Sequence, residues 1–284
     1  MLNRKLKGMI QLFRPELPFS AGICVLLGEI VALGNFPSAR EAVLGFMCGF
    51  FISGSALVSN DYFDLEVDKV NAPNRPLPSG AVTPSEAISL AAVAMLIGLS
   101  ASFAISIQAL ILSLIFGAVG ILYNCRFKQA GLLGNLMVAS SVAITFILGG
   151  LTVGQPFNKI VWFFSLTAFL IDLGEEIAGD AMDVEGDKQR SSRSMAILHG
   201  KDFALRISGA VFFLVVLISF IPYLLGWLGI AYLVIISLAD VITVYATVKL
   251  VKSQTPEEGH KYMRWIYIGA TLGMVAYIVA QFFT

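Results

Sequence analysis

Two short stretches of this chain gather carboxylates at a repeated spacing. The first reads Asn60-Asp61-Tyr62-Phe63-Asp64-Leu65-Glu66-Val67-Asp68-Lys69 and is followed by Arg75-Pro76-Leu77-Pro78-Ser79-Gly80. The second reads Asp180-Ala181-Met182-Asp183-Val184-Glu185-Gly186-Asp187-Lys188, with Arg190 and Arg193 just beyond. Each contains D-x-x-D-x-x-x-D with a lysine directly after it. At about 100° per residue, positions i, i+3 and i+7 share one face of a helix. Asp61, Asp64 and Asp68 are therefore expected to project together, with Asn60 beside Asp64, and Asp180, Asp183 and Asp187 likewise. Three carboxylates on one face repel each other, and a divalent cation among them removes that repulsion. Hard oxygen donors suit magnesium, which keeps some of its waters and bridges carboxylates to substrate phosphates. Two such faces predict two magnesium ions clamping a diphosphate and neutralising charge on it as it leaves. Lys69, Arg75, Lys188, Arg190 and Arg193 add donors, the arginines with geometry suited to two phosphate oxygens at once. A single acidic motif is equally well explained as a solvated loop; two copies in equivalent positions weigh against that.

The elements that carry these motifs follow from composition. The chain has 284 residues, 57% hydrophobic and 13% charged, with a mean hydropathy of +0.82. Soluble domains carry about 25% charged residues, so a water-facing surface cannot be covered here. A bilayer-spanning helix needs about 20 apolar residues, and such runs recur throughout. The sequence predicts an all-α polytopic membrane bundle, one domain over 1–284. Nine spans lie near 18–34, 42–59, 85–106, 108–124, 132–153, 159–177, 204–222, 227–249 and 263–283. The third and fourth nearly merge, with only Gln108 to mark a turn. The first motif ends the second span and the second motif ends the sixth.

Charge placement supports this layout. With the N-terminus cytoplasmic, 17 of the 19 basic residues fall on the inner side and only Arg40 and Lys159 outside, as the positive-inside rule requires. The C-terminus is then expected outside, both motifs at the cytoplasmic face, and the protein in the cell membrane. No short apolar core with a cleavage site precedes the first span, so no removable leader is expected. Cys24, Cys48 and Cys125 have no paired spacing and read as packing residues. Nothing suggests a nucleic-acid partner, and the oligomeric state is not legible.

On these motifs the chain resembles the UbiA-type intramembrane prenyltransferases. Their first motif, N-D-x-x-D-x-x-x-D, is matched by Asn60 through Asp68, their R-P-L-P-S-G stretch by Arg75 through Gly80, and their second motif by Asp180 through Asp187. The resemblance implies helices ringed around a cavity open to lipid, with magnesium diphosphate at its cytoplasmic mouth. It implies Asn60, Asp64, Asp68, Asp183 and Asp187 as metal ligands, with Asp61 and Asp180 as helpers in catalysis. It also implies Tyr123 and Lys128 at the diphosphate, beside Arg75, Lys188 and Arg193. Within the family, Asn71-Ala72-Pro73-Asn74-Arg75-Pro76 is similar to archaeal enzymes of ether-lipid synthesis. Those join geranylgeranyl diphosphate to the glycerol hydroxyl of geranylgeranylglyceryl phosphate. The Arg-rich lead-in before Asn-Asp, and the Arg-Thr after it, of the 4-hydroxybenzoate enzymes are missing. An aromatic acceptor of the quinone, tocopherol or chlorophyll type is the alternative.

The expected chemistry is ionisation of the allylic diphosphate, with donors placed beforehand for the charge that develops. The cation needs a dry cavity, and some of the 21 Phe and 8 Tyr could present ring faces to it. A lipid acceptor that is itself a phosphate ester needs a second anion site, for which Arg14 and Lys7 are candidates, against a plain role as topological anchors. The acceptor's proton could pass to a carboxylate or to the departing diphosphate. Glu29, Asp172 and Asp240 lie at membrane depth, where a charge is costly and turns inward; Glu29 and Asp240 line a cavity or are neutralised structural groups. Asp172, Glu175 and Glu176 precede the second motif on its own helix, so at least one is a candidate to face the cavity. A cation transporter is the rival class. It is disfavoured because the motifs stand 119 positions apart, an even number of crossings, whereas an inverted repeat would set them on opposite sides or at the midplane.

Overall fold

The computed structural model describes residues 2–184 and 192–282, and no β-strand occurs among them. The helices are α1 (Leu2–Phe13), α2 (Glu16–Leu33), α3 (Ala39–Phe63), α4 (Leu65–Asn71), α5 (Pro84–Ile105), α6 (Ile107–Leu122), α7 (Leu132–Thr152) and α8 (Lys159–Met182). A π-helical turn, Tyr123–Phe127, follows α6. Then come α9 (Met195–His199), α10 (Lys201–Ser219), α11 (Ile221–Leu224), α12 (Ile230–Val251) and α13 (Pro256–Phe282).

Among the described residues, eight helical stretches are long and apolar enough to cross a membrane. They coincide with the expected spans except the sixth. That position is taken by α8, which has 24 residues but carries Asp172, Glu175, Glu176 and Asp180. Its acids, not its length, set it apart. The break between the third and fourth spans falls at Ser106 rather than Gln108. Ser106 is fully extended (φ −169°, ψ 163°) and its hydroxyl accepts from the Ala109 amide at 3.1 Å, capping α6. A serine N-cap satisfies an amide that has no partner inside the helix, so a single polar residue divides an otherwise continuous apolar run.

The chain forms two compact units: residues 1–126 with 144–165, and residues 127–143 with 166–284. In the first, small residues let helices approach closely, as they do where lipid supplies no hydrophobic drive between spans. A Cβ on Gly28 would stand 2.5 Å from the Phe146 carbonyl oxygen, and one on Gly149 would stand 2.3 Å from that of Val25. These contacts hold α2 against the second half of α7. The start of α5 is fixed by a capping box between Thr83 and Glu86, and Lys5 bonds the same glutamate at 2.5 Å. That tether draws α1 and the R-P-L-P-S-G loop into one cluster around Leu12, Val58, Leu77 and Val82. In the second unit α8 buries Leu173, Ile177, Ala178 and Ala181 with Leu205, Phe212, Leu250 and Ile266.

Candidate active site

The first acidic motif spans the junction of α3 and α4. Asp64 is the residue between the two helices, with near-helical backbone (φ −83°, ψ −1°). The ladder runs through it: the Asp64 amide donates to the Asn60 carbonyl at 2.9 Å and the Asp68 amide to the Asp64 carbonyl at 2.8 Å. The helical register expected of the motif is therefore kept across the break. Asp61 and Asp68 are buried, while Asn60 and Asp64 are half-buried.

Two arginines answer the buried carboxylates. Arg14, in the turn between α1 and α2, donates to Asp61 Oδ1 at 2.5 Å. Arg75 Nη1 lies 2.6 Å from Asp68 Oδ2 and 4.0 Å from Asp61 Oδ1. Burial works against the charge on Arg75. The hydrogen bond to Asp68 and the fields of Asp68, Asp61 and Asp64 outweigh that and raise its pKa above the ordinary value. Arg14 reaches its place through an unusual backbone: it is the one non-glycine residue with positive φ among those described, at 47°. A left-handed conformation costs an L-residue about 1–2 kcal/mol, so its neighbours must hold it there.

This arrangement also tests the fit of a divalent cation. Two buried carboxylates converge on a single nitrogen of Arg75, so their oxygens already surround one positive charge. Among the described residues no three His, Cys, Asp or Glu side chains gather closely enough to hold a metal alone. Magnesium does not require that, since water and phosphate oxygens complete its shell. The donor set suits a hard cation shared with a diphosphate.

The second motif begins within α8. Asp180 accepts from the Asn135 amide nitrogen of α7 at 2.9 Å. Asp183 stands exposed one residue past the helix end, its amide bonded to the Gly179 carbonyl at 2.9 Å. Asp187, Lys188 and Arg190 lie outside the described residues. Arg193 is exposed, and its amide donates to the Gln129 carbonyl at 3.0 Å. Gly131 makes this contact possible: its φ is +62°, and a Cβ there would stand 2.0 Å from the Arg193 carbonyl oxygen. The loop bearing half-buried Lys128 is thereby brought to the backbone of Arg193. Tyr123 opens the π-helical turn before that loop; such turns recur at functional sites because they re-aim side chains.

Asn135 and Tyr267 are partners of this site that the spacing did not reveal. Tyr267 of α13 donates its hydroxyl to Glu175. Asn135 carried one available signal, a carboxamide inside an apolar span. Tyr267 carried none, because tyrosine is common in spans and the contact joins residues 92 apart. Of the acids read at membrane depth, Asp240 is bonded by Ser219 at 2.7 Å, whereas both carboxyl oxygens of Glu29 and Asp172 Oδ2 are buried without a hydrogen-bond partner.

The model of the UbiA prenyltransferase family matches residues 21–270. The chain belongs to that family. Among UbiA relatives, the digeranylgeranylglyceryl phosphate synthase of Methanosphaera stadtmanae is 34% identical over 269 residues, covering 94% of this chain and 97% of its own. A solved structure described as digeranylgeranylglyceryl phosphate synthase in membranes superposes with a TM-score of 0.84 at 31% identity, covering 99% of both chains. A UbiA homologue from Archaeoglobus fulgidus, solved with GPP and Mg2+, matches 95% of this chain and 99% of its own, with a TM-score of 0.68 at 19% identity; at that distance the likeness is one of fold. The protein is thus an integral, multi-pass membrane prenyltransferase with the UbiA fold.

Proposed function

We propose that this protein transfers a geranylgeranyl group from geranylgeranyl diphosphate to the glycerol hydroxyl of geranylgeranylglyceryl phosphate, a step of archaeal ether-lipid synthesis. One observation carries the reading: both acidic motifs and the N-A-P-N-R-P segment occur in a chain collinear, end to end, with the digeranylgeranylglyceryl phosphate synthases. In this reading the whole chain acts as one prenyltransferase domain, with its polar mouth at the cytoplasmic face of the cell membrane. The excess of basic residues on that side supports the orientation.

Asn60, Asp64 and Asp68, with Asp183 and Asp187, would hold magnesium, two ions in all. Bound there, the metal supplies Lewis-acid charge to the diphosphate oxygens. The chain's own groups do the rest. Arg75, Arg193, Lys188, Lys128 and Tyr123 present donors to the diphosphate before the C–O bond breaks, so no reorganisation is needed as its charge grows. Asp61 holds Arg14 and stands 4.0 Å from Arg75, and in this reading it keeps both cations aimed at anionic substrates. Asp180, fixed by Asn135, does the same on the second motif. Arg14 would receive the phosphate of the acceptor lipid. The apolar spans bury the prenyl tail and exclude water that would quench the allylic cation.

The test is prenyl transfer by the purified protein in detergent, with geranylgeranyl diphosphate, magnesium and geranylgeranylglyceryl phosphate. Ether product that disappears with chelation and in Asp64→Ala is the expected result. Transfer to an aromatic acceptor alone would move the protein to quinone or tocopherol chemistry. Ion movement across liposomes with no diphosphate consumed would replace the enzyme reading by a transporter.

A further inference from the structure

Asp172, Glu175, Glu176 and Asp180 occupy positions i, i+3, i+4 and i+8 of α8, one face of the helix. Leu173, Ile177, Ala178 and Ala181, on the opposite face, are buried in the core of their unit. The acidic face therefore turns away from that core. From α13, Tyr267 donates its hydroxyl to Glu175, and the His260 imidazole faces the same carboxylate. From α8 itself, Asp172 and Glu176 flank it. Asp172 is nine-tenths buried, and its Oδ2 has no hydrogen-bond partner. Buried acceptors are nearly always satisfied, so an open one on a charged face at membrane depth points to a donor that a ligand brings.

Depth along the helix says which donor. At 1.5 Å per residue Glu175 lies about 7.5 Å inward of Asp180 and about 12 Å inward of Asp183. A prenyl diphosphate whose head group is held near Asp180 and Asp183 would carry its reacting carbon inward of those carboxylates, on the side toward Glu175. The group that must meet that carbon carries a hydroxyl.

We propose that Glu175, oriented by Tyr267, accepts the proton of the acceptor hydroxyl; the inference rests on the prenyl-transfer reading above. The C1–O bond of the donor breaks and its electron pair leaves with the diphosphate. A lone pair of the acceptor oxygen forms the new C–O bond to C1, and the hydroxyl proton passes to the Glu175 carboxylate. Asp172 Oδ2 is the neighbouring acceptor that steadies the hydroxyl before transfer. Tyr267 is a positioning residue, since its donation fixes one carboxylate oxygen and leaves the other for the proton.

The experiment compares wild type, Glu175→Gln, Glu175→Asp and Tyr267→Phe as full chains in detergent. It follows both ether lipid formed and diphosphate released from geranylgeranyl diphosphate and geranylgeranylglyceryl phosphate across pH. General-base groups contribute about 10²–10⁴-fold. Glu175→Gln is expected to lower ether formation at least 100-fold while diphosphate release changes less than about 3-fold, the uncaptured cation losing a proton to a diphosphate oxygen and leaving as a diene. It should also flatten the acidic limb of the pH profile. Glu175→Asp should restore part of the coupling and Tyr267→Phe should lower it by a smaller factor. Unchanged coupling in Glu175→Gln, or a parallel fall of both products, overturns the assignment. Failure of wild type to use the glycerol lipid would instead overturn the substrate reading, and the same coupling ratio is then read with the acceptor it does use.

Discussion

Replacing Arg14 by alanine removes the cation bonded to Asp61 at 2.5 Å and leaves a carboxylate whose side chain is only 4% exposed. Removing one partner of a fully buried pair costs about 3–5 kcal/mol. Two features lower that figure here. Arg14 is 27% exposed, so the pair is not wholly dry. Arg75 Nη1 also remains 4.0 Å from the same oxygen. Arg14→Ala is therefore expected to cost about 2–3 kcal/mol. The reverse change, Asp61→Asn, leaves Arg14 with access to water and with a neutral acceptor still in place. Its cost is expected near 1 kcal/mol, the loss of a charge-assisted hydrogen bond. The double variant no longer strands a charge, so it should be less destabilised than the sum of the singles by about 1–2 kcal/mol. Equilibrium unfolding in mixed detergent micelles, followed by circular dichroism, measures all three independently of activity. Equal costs for the two single changes, or strict additivity, would refute the claim that Asp61 depends on Arg14 for its charge.

Other outcomes follow from the same geometry. Asp64→Ala and Asp183→Ala are each expected to lower prenyl transfer by more than 100-fold, and chelation should abolish it, with recovery on adding magnesium; transfer assays check this. Gly131→Ala places a Cβ 2.0 Å from the Arg193 carbonyl at φ +62°. It should displace the Lys128 loop and raise the KM for the diphosphate donor several-fold, with a smaller effect on the acceptor KM. Gly45→Ala brings a Cβ to 1.9 Å from Glu29 Oε1; overpacking of this kind costs about 1–3 kcal/mol, and Glu29→Ala in the same chain should return most of it in a thermal unfolding series.

The class of protein, the helical layout and the location of the acidic motifs were determined by the sequence by itself. Each rests on local information: apolar run length against bilayer thickness, the bias of basic residues to one side, and carboxylates spaced three and four apart on one helix. The same locality explains the errors of detail. Periodicity could not choose between Ser106 and Gln108, because either polar residue interrupts the apolar run. Only the backbone shows that Ser106 is extended and caps the next helix. Tertiary structure alone decided the partners. Arg14 meets Asp61 from 47 positions away, Asn135 meets Asp180 from 45, and Tyr267 meets Glu175 from 92. Lys5 to Glu86, across 81 positions, is of the same kind. Such pairs depend on how helices are rotated and shifted against one another. That is set by close contacts spread over many residues, such as Gly28 with Phe146 or Gly149 with Val25, and no single position records it. A carboxylate motif is written along one helix, but the cation or hydroxyl that answers it arrives from another.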